Sequence, residues 1–174
     1  MELCGRRLEK IITSAEISNR VKELAQEIDR DYDGERIHVI GVLSGALFFL
    51  SDLLREIKRP IELDFVRISS YGNQTEPITP ELSNNINTPL EGRHVLLVED
   101  IVDTGQTLSL IMERINRDGP SSVRVCVLID KSERRIENVP VSYTGFTVKD
   151  GFVVGYGMDL GEKGRNLRDI YKVI

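Results

Sequence analysis

The sequence has little of several things, and each scarcity closes off a class of function. Only two of its 174 residues are cysteine, Cys4 and Cys126, and they stand far apart. They make neither a metal-spaced pair nor a disulfide framework, so a reducing, cytoplasmic setting is expected. The two histidines, His38 and His94, are too few for a His-rich metal site. There is no basic excess: 23 Lys and Arg stand against 28 Asp and Glu, for a net charge of −5 and an isoelectric point near 5.2. A generic nucleic-acid coat or a basic membrane-surface protein is therefore not expected. Long apolar runs are missing too. The longest, Ala46 to Leu50 continuing to Leu54, is interrupted by Ser51 and Asp52 and is too short to span a bilayer. Met1 to Arg7 is charged without an apolar core, so no signal peptide is expected. No internal repeat or low-complexity tract stands out.

What is present describes an ordinary globular chain, with 29% charged and 40% hydrophobic residues. At about 100–200 residues per domain, residues 1–174 are expected to form a single domain. Thr13 and Glu16 have capping-box spacing, and Ile17, Val21, Leu24, Ala25 and Ile28 recur at helical spacing after them. Ile37 to Leu43 (IHVIGVL) reads as a buried strand, Ala46 to Ile57 as a helix stopped by Pro60, and Ile61 to Ser69 as an alternating strand. Residues 70–90 hold three of the six prolines and no strong period, so a functional or mobile connection with some hairpin character is expected. His94 to Val98 (HVLLV) reads as the clearest buried strand, Glu99 to Gly105 as a polar turn, and Thr107 to Arg117 as a helix. Val123 to Ile129, Val141 to Val148 and Phe152 to Val154 are further strand candidates, and the segment around Cys4 is expected to be loose. Strands alternating with helices predict an α/β fold with a mostly parallel, twisted sheet flanked by helices. Ligands of such sheets bind at the carboxyl ends of the strands. The turns after the strands are therefore the places to search.

One such turn carries the chemistry. Val95 to Thr107 reads VLLVEDIVDTGQT: a buried strand, two adjacent carboxylates, two apolar residues, a third carboxylate, then Thr-Gly-Gln-Thr opening a helix. Thr104, Gly105 and Thr107 stand where unpaired amides at a helix N-terminus can cradle a phosphate. No lysine follows in Walker spacing. Glu99 and Asp100 accept only when ionised, which suits a vicinal diol or a hydrated divalent cation beside the phosphate. Asp103 could accept a proton from a reacting group. The bland alternative is a solvated acidic turn that caps a helix.

This arrangement resembles the signature of the phosphoribosyltransferases, which use 5-phosphoribosyl 1-pyrophosphate (PRPP). DFVRISSYG (Asp64 to Gly72), LIDKSERR (Leu128 to Arg135) and FVVGYGMDLGEKGR (Phe152 to Arg165) lie in the order seen in hypoxanthine phosphoribosyltransferases of the short bacterial type. The resemblance implies the type I phosphoribosyltransferase fold, with a mobile loop over about 70–90. It also implies a small hood over the base site, from about 130–174 plus the N-terminal segment.

The implied activity is Mg²⁺-dependent purine salvage: transfer from PRPP to hypoxanthine and guanine, giving IMP, GMP and pyrophosphate. Glu99 and Asp100 would hold the ribose hydroxyls, partly through magnesium. Asp103, Thr104, Gly105, Gln106 and Thr107 would form the 5′-phosphate loop, with Asp103 as general base near purine N7. Lys131 would read the 6-oxo group, Phe152 would stack on the base, and the Val153 carbonyl would meet it. Asp159 would sit at the purine site as a second magnesium-linked carboxylate. Ser44, Gly45 and Arg165 would hold pyrophosphate, and Ser70 and Tyr71 would lie on the closing loop. The chain departs from the family at Ser44, where members often carry Lys or Arg before the glycine; only backbone donation is implied there. Taken alone, Lys131 would read as a surface lysine, Phe152 as core, and Asp159 and Arg165 as solvated charges. A homodimer or homotetramer is implied, with no nucleic-acid or membrane partner. Three other readings stand beside this one: a preference for guanine or xanthine, a regulatory PRPP-fold protein that binds RNA or DNA, and a nucleotide-binding domain without catalysis.

Overall fold

A computed structural model describes residues 1–69, 81–86 and 88–174. The chain opens with β1 (Glu2–Leu3) and β2 (Arg6–Ile12), where a loose segment is expected from the sequence. The difference has a physical reason: Leu8 and Ile12 are buried by pairing of β2 with a strand from the other end of the chain. Helix α1 (Ser14–Asp31) follows. The Thr13 hydroxyl accepts from the Glu16 amide at 3.3 Å and the Glu16 carboxylate accepts from the Thr13 amide at 2.8 Å. The capping box is thus closed, and the stripe Ile17, Val21, Leu24, Ala25 and Ile28 is buried as its spacing requires.

Strand β3 (Ile37–Leu43) is buried along nearly its whole length. Helix α2 (Leu47–Glu56) lies one residue inside each predicted end, because Ala46 serves as its N-cap and Ile57 is already extended. Strand β4 (Ile61–Ser69) pairs antiparallel with β5 (Glu81–Asn85), Phe65 facing Asn85. Part of the irregular connection over 70–90 is therefore a strand. Ser70 and Tyr71 lie outside the described residues.

Next come β6 (His94–Val102), α3 (Gln106–Asn116) and β7 (Ser122–Asp130), then a 3₁₀ turn (Ser132–Arg134) and β8 (Tyr143–Thr147). Strand β6 outruns the predicted strand by four residues. Glu99 to Val102 form no turn; β7 continues alongside them, pairing Glu99 with Val127, Ile101 with Ile129 and Val102 with Asp130. The chain closes with β9 (Val153–Val154) and β10 (Ile170–Val173).

The described residues form two sheets. The larger runs β5-β4-β3-β6-β7-β8, parallel throughout except for β5 at its edge. The smaller, β1-β2-β10-β9, is antiparallel and joins the two ends of the chain. Since β8 belongs to the larger sheet, the C-terminal part of the chain joins β1 and β2 in the smaller one only from Val153 onward. One core cluster holds α1 and α2 against one face of the larger sheet through Leu24, Ile28, Phe49, Leu53 and Leu96. The other holds α3 through Leu108, Ile111 and Ile115 against Ile40, Leu97 and Val125. No helix among the described residues is long and apolar enough to cross a membrane.

Asp169 fastens the smaller sheet. Its carboxylate takes the Lys10 ammonium at 2.6 Å, the Ser14 amide at 2.7 Å and the Tyr171 hydroxyl at 3.2 Å. The Lys10 contact, then the Ser14 amide, lower its pKa from 3.8 to about 2. A lowered carboxylate pKa stabilises the fold above the unfolded value and stops doing so as pH falls through the folded value. Asp169→Asn should therefore lower the melting temperature at pH 7, and the gap to the unsubstituted protein should close as pH falls from about 4 towards 2. Melting curves of both proteins across that range test it, and a gap independent of pH would contradict it.

Candidate active site

The site is assembled at the carboxyl end of the parallel sheet. Strand β6 delivers Glu99 and Asp100 there, both buried. The Asp100 amide donates to Glu99 Oε1 at 3.2 Å. Loss of water, and next the charge of Asp100, push the Glu99 carboxyl well above the usual carboxylate range. Asp100 is shaped from behind by the turn after β3. Gly45 in that turn has no room for a side chain, since a Cβ would overlap the Asp100 carboxylate. The peptide between Leu43 and Ser44, at the start of this turn, is cis.

Past Val102 the chain bends into α3. Gly105 caps the helix at φ +86°, a left-handed conformation that glycine adopts readily. A Cβ there would stand 2.7 Å from the Glu137 carbonyl oxygen. The Thr104 carbonyl accepts from the Ile136 and Glu137 amides, each at 2.9 Å. The turn is thereby held from outside by residues 135–137, and the first amides of α3 remain available to an anion. Glu99, Asp100, Asp103, Thr104, Gly105 and Thr107 share the wall of a cavity of about 280 Å³. Gln106 opens the helix beside it.

Lys131 reaches this place from β7. Its amide donates to the Val102 carbonyl at 2.9 Å, continuing the β6–β7 pairing by one bond. Its side chain is 4% exposed and its Nζ lies 3.6 Å from Asp103 Oδ2, so a surface lysine is excluded. Arg134 Nη1 approaches the same oxygen at 3.1 Å. The other oxygen of Asp103, Oδ1, is buried and meets no donor among the described residues. Asp103 is thus oriented through one oxygen and keeps a free acceptor on the other.

The remaining residues lie on the segment leading into and out of the smaller sheet. Phe152 is 52% exposed, which rules out a core role and leaves a ring face for stacking. Val153 is buried and pairs with Lys172. Asp159 and Arg165 hold each other at 2.8 Å, Asp159 also accepting from the Glu162 amide at 2.9 Å. Arg165 Nη1 further donates to the Gly157 carbonyl at 2.9 Å. They are a pair, not separate solvated charges. The segment docks on the first turn where Gly157 (φ +105°) stacks against the Gly45 carbonyl, a contact with no room for a Cβ. It docks a second time where the Tyr156 hydroxyl donates to Asp52 on α2 at 2.6 Å. Burial, and next this carboxylate, raise the Tyr156 phenol.

The structure therefore brings together Glu99, Asp100, Asp103, Thr104, Gly105, Thr107 and Lys131, with Gly45 behind Asp100. Asp159 and Arg165 form a second group linked to the first through Gly157 and Gly45. Among the described residues no three carboxylate, histidine or cysteine groups converge as a metal cage. Magnesium seldom needs one, since it keeps waters and takes one or two carboxylates plus substrate phosphates. The buried acid pair Glu99–Asp100, with no cation paired to it among the described residues, fits that donor chemistry. Sequence reasoning missed Arg134, Arg135 and the Tyr156–Asp52 contact. The arginines end the LIDKSERR segment, but what they meet depends on the turn after β7, and the Tyr156–Asp52 contact joins residues distant in the chain.

Comparison with known proteins follows the same lines. A family model described as "Phosphoribosyl transferase domain" matches residues 9–160. The chain is 41% identical over 174 residues to the hypoxanthine-guanine phosphoribosyltransferase of Aquifex aeolicus, covering 99% of this chain and 98% of that protein. It is 39% identical over 170 residues to the hypoxanthine phosphoribosyltransferase of Escherichia coli, with 96% of each covered. The crystal structure of a hypoxanthine-guanine phosphoribosyltransferase from Bacillus anthracis, with a HEPES molecule in the active site, superposes with a TM-score of 0.89. That protein is 42% identical, and the match covers 95% of this chain and 98% of that one.

Gly45→Ala should keep the fold by circular dichroism but displace the Asp100 carboxylate. PRPP affinity, measured by calorimetry, is expected to fall about tenfold or more, or at least ~1.4 kcal/mol. Unchanged affinity would detach this turn from the site.

Proposed function

The chain belongs to the phosphoribosyltransferase family, and on that premise we propose how its own residues carry the reaction. The protein transfers the 5-phosphoribosyl group of PRPP to hypoxanthine and guanine, giving IMP or GMP and pyrophosphate. The observation that supports the residue assignment best is the state of Asp103: one oxygen held by Lys131 and Arg134, the other buried and free, beside a cavity with an anion cradle at its end.

In this reading the amides and hydroxyls of Thr104, Gly105, Gln106 and Thr107 take the 5′-phosphate. Glu99 and Asp100 accept from the ribose hydroxyls. Asp103 takes the proton from purine N7 as the base becomes joined to the anomeric carbon. Lys131 donates to the 6-oxo group, which adenine lacks, Phe152 stacks on the ring, and the Val153 carbonyl meets the base. Ser44 and Gly45 donate backbone amides to pyrophosphate, with no side-chain cation at Ser44. Arg165 turns from Asp159 towards the leaving pyrophosphate, whose departure leaves an oxocarbenium-like sugar. Glu99 and Asp100, with Asp159, would hold Mg²⁺. When bound, that ion supplies positive charge against the pyrophosphate. Ser70 and Tyr71, with the loop of about 70–90, would exclude water from PRPP.

The proposal extends to organisation. Residues 1–174 act as one domain, the smaller sheet serving as the hood over the base. The protein works in a reducing, cytoplasmic setting, to which its two free cysteines are suited. It assembles as a homodimer or homotetramer, and the apolar start of α2, where Leu47 and Phe48 are exposed, favours such a contact.

Incubation with PRPP and Mg²⁺ and each of hypoxanthine, guanine, xanthine and adenine, with nucleotide and pyrophosphate measured, tests the activity. Product with 6-oxopurines and none with adenine is expected; no product with any base would refute it. Asp103→Asn should lower turnover by about 100-fold or more while PRPP affinity changes little, the range general-base removal gives. Turnover equal to that of the unsubstituted enzyme would remove Asp103 from the base role. Lys131→Ala should relax discrimination against adenine, and an unaltered ratio of kcat/KM for hypoxanthine over adenine would reject Lys131 as the reader of the 6-oxo group.

A further inference from the structure

Arg135 has no part in the chemistry above, yet its side chain joins three pieces of the site. Its Nε donates to the Asp103 carbonyl at 3.3 Å, the first residue of the phosphate loop. Its Nη2 meets Asp130 Oδ1 at 2.5 Å, the last residue of β7 and the neighbour of Lys131. Its Nη1 donates to the Val139 carbonyl at 3.3 Å, on the way into β8. The stem of the same side chain packs over Gly105, where its Cδ stands 2.9 Å from the place a Cβ would take. The side chains of Arg135 and Asp130 are each only 17% exposed, so water competes little for these bonds. Beside it, the Ile136 and Glu137 amides hold the Thr104 carbonyl from the same strip of chain.

The geometry points to Arg135 as the positioning residue that clamps the phosphate loop against the end of β7, and so against the base-reading lysine, beyond the last rung of the β6–β7 ladder. Its planar fork has donors in three directions at fixed angles, whereas a lysine ammonium is one point on a flexible stem. The ladder still pairs Val102 with Asp130, but among the described residues no other side chain spans the Asp103 carbonyl and the Asp130 carboxylate. The sugar would still be bound by its own cradle. The base, held through Lys131, would then be misplaced relative to the anomeric carbon. Near-attack geometry is sensitive to about an ångström, so the loss belongs in kcat and not in PRPP affinity. Arg134, its neighbour, differs in kind: it is half exposed and touches the Asp103 carboxylate itself. This inference rests on the transferase reading, and the unsubstituted enzyme is the control for it; absence of product there would refute that reading, not this one.

The test compares Arg135→Lys and Arg135→Ala with the unsubstituted protein, at a temperature well below each melting transition and with folding checked by circular dichroism. Steady-state kinetics give kcat, and calorimetry gives PRPP affinity separately. Both variants are expected to lose about 30-fold in kcat while PRPP affinity stays within about threefold, the loss one misplaced group produces. Methylguanidinium should restore part of the kcat of Arg135→Ala, and methylammonium should not. If Arg135→Ala does not fold, Arg135→Lys alone decides. Unchanged kcat in a folded variant overturns the inference, as does a loss in kcat that PRPP affinity matches in full.

Discussion

The pairing of β6 with β7, carried past the apolar stretch as far as Val102 and Asp130, is the constraint on which the site depends. A parallel ladder holds its two strands about 4.8 Å apart and fixes their register. At its open end the register sets Asp103 beside Lys131, and the bond from the Lys131 amide to the Val102 carbonyl makes that the last rung. The Asp103 carboxylate and the Lys131 ammonium are 28 residues apart in sequence and 3.6 Å apart in space. Helix α3 could not correct a slip here, since it connects the two strands that this ladder places.

Burying polar groups at the end of the ladder has a cost that the fold meets unevenly. Asp103 is flanked by two cations. Glu99 has no such partner among the described residues, and burial, then Asp100, raise its carboxyl. Both causes disfavour its charged form, and a hydroxyl donor or a divalent cation placed beside it would offset them. The backbone is closely fitted as well: Gly45 and Gly157 stand where the turn after β3 and the segment between β9 and β10 come into direct contact, and neither side of that contact has space for a methyl group.

Much of this was legible before folding was considered. HVLLV reads as a buried parallel strand because both faces of such a strand are covered and apolar residues need not alternate. The stripe of α1 and the capping box of Thr13 and Glu16 are local patterns, and the structure reproduces both. The carboxylate turn and Thr-Gly-Gln-Thr are local as well. What misled was polarity. Glu99 and Asp100 read as a turn, because acids are depleted in strands, yet the neighbouring β7 supplies ladder bonds whatever the side chains are. Likewise β2 (RRLEKII) carries four charges in seven residues, and only β10, at the far end of the chain, makes it a strand. Lys131 and Phe152 reversed their ordinary tendencies, the lysine buried and the phenylalanine exposed.

The sequence by itself determined the α/β alternation, the helix stripes, the Thr-Gly-Gln-Thr turn and the set of chemical groups available, because each is written in residues within a few positions of one another. Tertiary structure alone decided which groups meet. It set Lys131 and Arg134 on one oxygen of Asp103, locked Arg165 to Asp159, and strung Arg135 between the Asp103 carbonyl and Asp130. It also joined the two ends of the chain through Asp169 and Lys10. Those contacts arise from strand register and from packing between distant segments, which no local pattern encodes.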